Sequence, residues 1–338
     1  MSLPHFLIAF LTLTFFAVVV SAQESSVDIA SAMEVYPQPN VRPLPLDERI
    51  LYDRVYRKVV GPLTVFDAPG GSIVRDFSSG FAYVTLSGSM SLGDWTQIGP
   101  AEWVPSNILN EDVMISRFAG VLLPDEALPY PMAWTLRHLR ASKEPGGEQS
   151  SDNPFMYRYT RVSLYSYVEI DGHRWYQIGK DQWVHQFNVA KILPIERPVE
   201  IQTDKWVSVD LYEQVLIAYE GDTPVFSTLV SSGLSSWPTN EGLFNVYLRY
   251  GRTLMAGAFG RPDFYYLEEV PYTLYFDGDI GLHGTYWHDG FGYRQSHGCV
   301  NLSITDAKWL FDWSADVRAS NPDGLDLSVL VYSSNEYR

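Results

Sequence analysis

Ser296-His297-Gly298-Cys299-Val300-Asn301, preceded by Ile280-Gly281-Leu282-His283-Gly284, is the stretch from which the rest of the chain is read. It holds the one cysteine of the sequence and, with His288, three of the seven histidines. A cysteine nucleophile needs its thiolate, which at an ordinary pKa of about 8.5 is only a few per cent of the thiol at pH 7. An imidazole within hydrogen-bond reach takes the proton, and an acceptor on its other nitrogen fixes the tautomer. Gly298 supplies a tight turn that exposes the thiol and lets backbone amides converge on an oxyanion. Two other readings use the same residues. His283, His288, His297 and Cys299 could ligate zinc, but their spacing matches no usual finger pattern. A buried thiol with surface histidines is the third.

Working outward, the 338 residues are enough for two or three domains, and 46% hydrophobic with 14% aromatic content excludes global disorder. The formal charge of −16 argues against nucleic acid as a partner. Phe6 to Val20 is uncharged and is followed by the small-residue site Val20-Ser21-Ala22, so residues 1–22 read as a signal peptide and the protein as exported. An uncleaved segment would be the only membrane contact. Export makes the cysteine count informative, because secreted chains use cysteines in pairs and Cys299 has no partner. Residues 23–50 read as a linker, rich in Pro, Ser and Asn.

A repeat lies between linker and cysteine. Trp95-Thr96-Gln97-Ile98-Gly99 returns 80 residues later as Trp175-Tyr176-Gln177-Ile178-Gly179, and Glu102-Trp103-Val104 as Gln182-Trp183-Val184. Alternating apolar residues and the turns at Pro69-Gly70-Gly71 and Gly88-Ser89 make this a small, bent β module present twice. Its limits are read as 51–112 and 151–197, the second copy lacking the opening strand, with a connector over 113–150. The tryptophans are expected to pack the cores.

Beyond Pro198 the pattern is a meander: Val207/Val209/Leu211, Val215 to Tyr219, Val225 to Val230, and Phe244/Val246/Leu248/Tyr250. Asp277-Gly278-Asp279 joins Thr273–Phe276 to Ile280–His283 as a hairpin. One main helix is expected, with Ser303 as N-cap and Ala307, Leu310, Phe311, Ser314 and Val317 along one stripe. The last strand runs from Leu327 to Tyr332. Fold class is therefore mainly β.

The motif, its upstream His283-Gly284, Val209-Asp210-Leu211 with Gln214, and Ser231-Ser232-Gly233 resemble the L,D-transpeptidases with a YkuD-type catalytic domain. That signature is a histidine, a gap of about 14–17 residues, then Ser/Thr-His-Gly-Cys-apolar-Asn. The resemblance implies a β-sandwich-like catalytic domain over 200–335, and Leu63 to Leu109 resembles bacterial SH3-like barrels. One departure is visible: the family's Thr-Pro-x-Gly stands here as Thr239-Asn240-Glu241-Gly242.

Carried over, the resemblance implies Cys299 as nucleophile, His283 as proton donor and acceptor, and the Gly284 carbonyl as its orienting partner. His297 braces the oxyanion side, Ser296 supports the turn, and the Gly298 amide region forms the oxyanion hole. Trp287, Tyr286, Arg294 and Asn301 are the expected substrate-side residues, Asn301 also tying the loop to the Ser303 helix. His288 matches no position of the signature and reads as a solvated loop histidine. No cofactor and no metal are expected. The implied function is an exported peptidoglycan transpeptidase that forms 3→3 cross-links between stem peptides through a cysteine thioester and reacts with carbapenems. An L,D-carboxypeptidase of the same fold, or a non-catalytic wall-binding protein, are the alternatives.

Overall fold

Two mixed β-sheets face each other across one core, and the Cys299 motif lies at the edge of the second. The computed structural model describes residues 36–77, 80–86, 90–321 and 323–335, so the expected signal peptide lies outside the described residues. Both sheets lie within the unit Gln38–Arg338. No helix among the described residues is long and apolar enough to cross a membrane.

The first sheet has the strand order 42–43, 121–122, 223–229, 215–220, 205–210, 328–332, 242–245. Its centre is Lys205–Asp210, antiparallel to Val215–Glu220 and parallel to Ser328–Tyr332. Strand alternation sends Val207 and Val209 to one face and Trp206 to the other, and all three are fully buried. A sheet covered on both sides needs such near-continuous apolar strands. One face packs on Leu274, Phe276, Leu282, Val300 and the helix residues Ala307 and Leu310. The other face, with Trp206 stacked on Tyr219 at 4.0 Å, packs on Met132, Trp134 and Ile192 of the second repeat.

The helix runs from Ile304 to Trp313, and Ser303 Oγ accepts the Asp306 N–H as its N-cap. Val317 falls in a separate short turn, so the stripe read from sequence is broken at Ser314. Asp306 is buried, accepting from Gly120 N–H at 2.8 Å and Thr228 Oγ1–H at 2.6 Å; burial nevertheless pushes its carboxyl up to about 6.

The second sheet runs 300–302, 280–284, 265–277, 81–85, 56–59, 109–110, with 248–257 also paired to 265–277. Positive φ at Glu269 and Tyr272, together with register shifts at Thr253/Met255 and Tyr275/Asp277, bends this long ribbon.

Both repeats fold as the same hairpin. Trp95–Gly99 pairs with Glu102–Pro105, and His173–Gly179 with Gln182–His185. Each carries a bulge before the turn, a left-handed residue in it (Ala101, Asp181), and a 3-10 turn after it (Ser106–Ile108, Gln186–Asn188).

Three readings from sequence are corrected. The second copy does not lack its opening: Leu139–Arg140 pairs with Phe155–Met156 as Leu63–Phe66 pairs with Ile73–Phe77, and Met132–Thr135, also placed in the connector from sequence, lies between Arg161–Ser163 and Val189–Lys191. Met132–Thr135 occupies the place that Tyr56–Val59 takes between Phe81–Thr85 and Leu109–Asn110 in the first copy. Linker and connector are not free spacers either, because Arg42–Pro43 pairs with Val121–Leu122, which extends the first sheet. Finally, the repeat cores are built by Ile98, Val104, Tyr176, Ile178 and Val184 rather than by the tryptophans, of which only Trp103 is buried.

Candidate active site

Parallel pairing of Ile280–Gly284 with Val300–Leu302 sets His283 opposite Asn301. Cys299 comes two residues before Asn301, so alternation turns it toward the face that His283 occupies. The turn that delivers it is held at several points. Gly298 has φ of 119°, a conformation that L side chains rarely adopt. Its N–H donates to Ser296 Oγ at 3.1 Å, and Ser296 Oγ–H donates to the Cys299 carbonyl. Its carbonyl accepts Thr239 Oγ1–H at 2.7 Å, while Thr239 Oγ1 accepts the Gly233 N–H. Thr239 thus braces the cysteine turn, a role no local pattern advertised. The Gly298 amide, expected in an oxyanion hole, is instead occupied by Ser296.

Cys299 keeps part of its surface open to the cavity while protein crowds the sulfur on its other sides. That crowding pushes the thiol up to about 11, the Gly281 N–H pulling it back and the Asp279 carboxylate adding to the rise. At rest the thiol leans on the Asp279 carbonyl at 3.6 Å rather than on an imidazole.

His283 is buried, and its Nδ1–H donates to the Gly284 carbonyl at 3.1 Å. This tautomer leaves Nε2 with a free lone pair. Burial drives its pKa down to about 4, against the pull of the Gly284 carbonyl, so the ring is neutral at pH 7. His297 is exposed and lies between two rings, 5.6 Å from Trp237 and 5.3 Å from Tyr265.

His288 is not the solvated loop histidine expected from its neighbours. Its Nδ1 accepts the Gly290 N–H at 3.1 Å, and its Nε2 lies 2.8 Å from the Asn301 side-chain amide. With Nδ1 accepting, Nε2 carries the ring proton, and the Asn301 amide satisfies it by presenting oxygen. Burial, then the nearby His283 and Arg158, push His288 down to about 4. Its loop is clamped from the second repeat and the connector: Arg158 and, from the connector, Ser116 bond the Asp289 carboxylate, and Tyr159 OH donates to the Asp289 carbonyl at 2.7 Å.

Cys299, His283, His288, His297 and Asn301 share a cavity of about 520 Å³ with Trp287. Its other side is mostly apolar and comes from the ribbon and the turn before it (Met255, Asp263, Phe264, Tyr265, Leu267) and from Phe81 of the first repeat. Sequence reasoning missed Tyr265 and Phe81 because only long-range pairing brings them here. Two expected substrate-side residues are elsewhere. Tyr286 is fully buried, stacked 3.6 Å from Tyr56 with its hydroxyl on the Glu268 carbonyl, so it cannot meet a ligand. Arg294 is not among the residues lining the cavity. Among the described residues, no group of three or more His, Cys, Asp or Glu is arranged to hold a metal ion.

A lone cysteine on a glycine turn, sharing a cavity with a buried neutral histidine at the edge of a β-sandwich, defines a cysteine–histidine site. Comparison with known proteins narrows the class: residues 204–322 match the family model of the L,D-transpeptidase catalytic domain, YkuD. YciB of Bacillus subtilis (strain 168), a protein named for L,D-transpeptidase activity, is 26% identical over 126 residues, which are 35% of this chain and 64% of YciB. A mutant Enterococcus faecium L,D-transpeptidase overlaps 38% of this chain and 50% of its own at 27% identity and a TM-score of 0.31. The catalytic domain of the E. faecium enzyme acylated by ertapenem overlaps 39% of this chain and 99% of its own at 25% identity and a TM-score of 0.32. The chain thus spans less than two thirds of the length of YciB and half that of the longer E. faecium chain.

Proposed function

We propose that this chain is an exported peptidoglycan L,D-transpeptidase working through a Cys299 thioester. The observation that carries the reading is that a neutral, Gly284-oriented His283 and Cys299 line one cavity, inside the segment that matches the family model. Cys299 Sγ attacks the carbonyl of the third residue of a tetrapeptide stem as His283 Nε2 takes the thiol proton. The tetrahedral intermediate collapses, and the departing D-Ala amine takes that proton from His283. The thioester left behind is attacked by an amine of a second stem, His283 accepts the amine proton, and the thiolate leaves and is reprotonated. One amide has been exchanged for another, giving a 3→3 cross-link.

Burial pushes the thiol up to about 11 and the imidazole down to about 4, so both groups rest in their neutral forms. Proton transfer therefore accompanies carbon–sulfur bond formation rather than preceding it. With the Gly298 amide committed to Ser296, the Cys299 amide is the turn group assigned to the oxyanion. Carbapenems acylate the same sulfur. Export rests on the segment 1–22, and the bent hairpins of the two repeats support their reading as SH3-like modules.

Incubation of the protein lacking residues 1–22 with tetrapeptide muropeptides, read by mass spectrometry, tests the reading. Cross-linked dimers are expected. Tripeptide monomers alone would make it a carboxypeptidase, and binding without any product would make it a wall-binding protein.

A further inference from the structure

The first repeat does not hang beside the catalytic domain; it is part of the same sheet. Phe81–Thr85 pairs in parallel with the ribbon, Phe81 opposite Tyr265, Ala82 opposite Tyr266 and Tyr83 opposite Leu267. Phe81 N–H donates to the Phe264 carbonyl at 2.9 Å. Gly80 permits that approach, since a Cβ there would lie 2.5 Å from the Phe264 carbonyl oxygen. Thr85 N–H donates to the Glu268 carboxyl at 2.8 Å, and Phe264 and Tyr266 are buried in the core of the repeat with Leu63, Val65 and Val104. The matching strand of the second repeat, Arg161–Ser163, makes no such pairing among the described residues.

Paired residues in adjacent strands present their side chains to the same face. Phe81 therefore follows Tyr265 into the cavity, and it remains 40% exposed there. We propose that Phe81 is a specificity-determining residue: the first repeat supplies, through this side chain, an apolar wall of the cavity that contacts the part of an extended peptide lying away from the scissile bond.

The inference rests on the transpeptidase reading above. Phe81 stands one strand spacing, about 4.8 Å, beyond Tyr265, whose ring is 5.3 Å from that of His297. An extended chain advances about 3.3–3.6 Å per residue. Phe81 is accordingly reached by a peptide residue two or three places from the carbonyl held at Cys299. A small bicyclic acyl donor seated at the sulfur does not extend so far. Phe81, with Met255 and Leu267 behind it, offers apolar atoms there beside Asp263, so the wall at Phe81 favours apolar atoms at that place.

The test compares acylation of the protein and of Phe81→Ala by three donors: a tetrapeptide stem, a truncated dipeptide donor with the same scissile bond, and a carbapenem. The unmodified protein should prefer the tetrapeptide over the dipeptide by about tenfold or more in kcat/KM, the scale of one apolar contact in a pocket. Phe81→Ala should erase most of that preference, with carbapenem acylation changed less than about threefold. Phe81→Leu should recover part of it, and carries the comparison should the alanine variant melt early. An unchanged preference, or an equal fall with all three donors, overturns the proposal. Protein inert to all three overturns the transpeptidase reading and this inference with it, whereas carbapenem reactivity with an unaltered donor preference overturns the inference alone.

Discussion

Replacing His283 by Gln should change the pH dependence of cysteine acylation, not only its rate. With the imidazole at about 4, His283 is neutral in about 99% of molecules at pH 6 and in more above it, since each pH unit above the pKa is a factor of ten. The rate with a carbapenem should therefore be flat between pH 6 and 9. An imidazole at its ordinary value of about 6.5 would instead raise the rate about fourfold between pH 6 and 8. In His283→Gln the proton has nowhere to go except solvent, and only pre-formed thiolate reacts. With the thiol at about 11, that species is about one part in ten thousand at pH 7. The rate at pH 7 should fall by about 10²–10⁴, the usual range for losing a general base. It should then climb about tenfold per pH unit toward pH 10, as thiolate accumulates. Stopped-flow absorbance of the carbapenem chromophore over a pH series reads both slopes. A variant that keeps a flat profile within fivefold of the parent rate would refute His283 as the base, and a parent rate rising tenfold per unit would refute the neutral pair.

Three further outcomes are set by the geometry. His288→Gln, which frees Asn301 and the Gly290 amide, should slow acylation by about tenfold and lower stability by about 1–3 kcal/mol in chemical denaturation. Thr239→Val leaves the Gly233 N–H and the Gly298 carbonyl unpaired in a buried turn, so a loss of about 1–3 kcal/mol with slower acylation is expected. Burial raises the Glu268 carboxyl to about 7, so its contribution to stability is full below about pH 4.5 and is lost as pH rises through 7. Glu268→Gln should accordingly match the parent near pH 4.5 and exceed it by about 2–3 kcal/mol at pH 8, read by urea denaturation at both values.

Contiguous signals were legible. The Ser296–Asn301 motif, the Ser303 cap and the strand alternation around Val207 and Val209 depend on near neighbours, and the structure places them as local rules would. What escaped depends on pairing across long sequence separations. Tyr286 looked available because it comes just after His283-Gly284, yet Tyr56, far away in the sequence, covers it. His288 looked solvated among Trp287, Asp289 and Gly290, but Arg158 and Tyr159 of the second repeat close its loop. Phe81 carried no catalytic signal and reaches the cavity only through its parallel pairing with Tyr265. Two-residue strands such as Arg42–Pro43 are too short for any periodicity, which is why linker and connector read as spacers.

A thioester between Cys299 and a stem peptide is the covalent intermediate of the proposed reaction. Intact-mass analysis of the protein after brief incubation with a tetrapeptide donor, followed by peptide mapping, measures it directly. An adduct equal to the donor less D-Ala is expected, located on Cys299, discharged by an added amine and missing in Cys299→Ser. No adduct on the parent protein under conditions where the donor binds, or an equal adduct on Cys299→Ser, would contradict it.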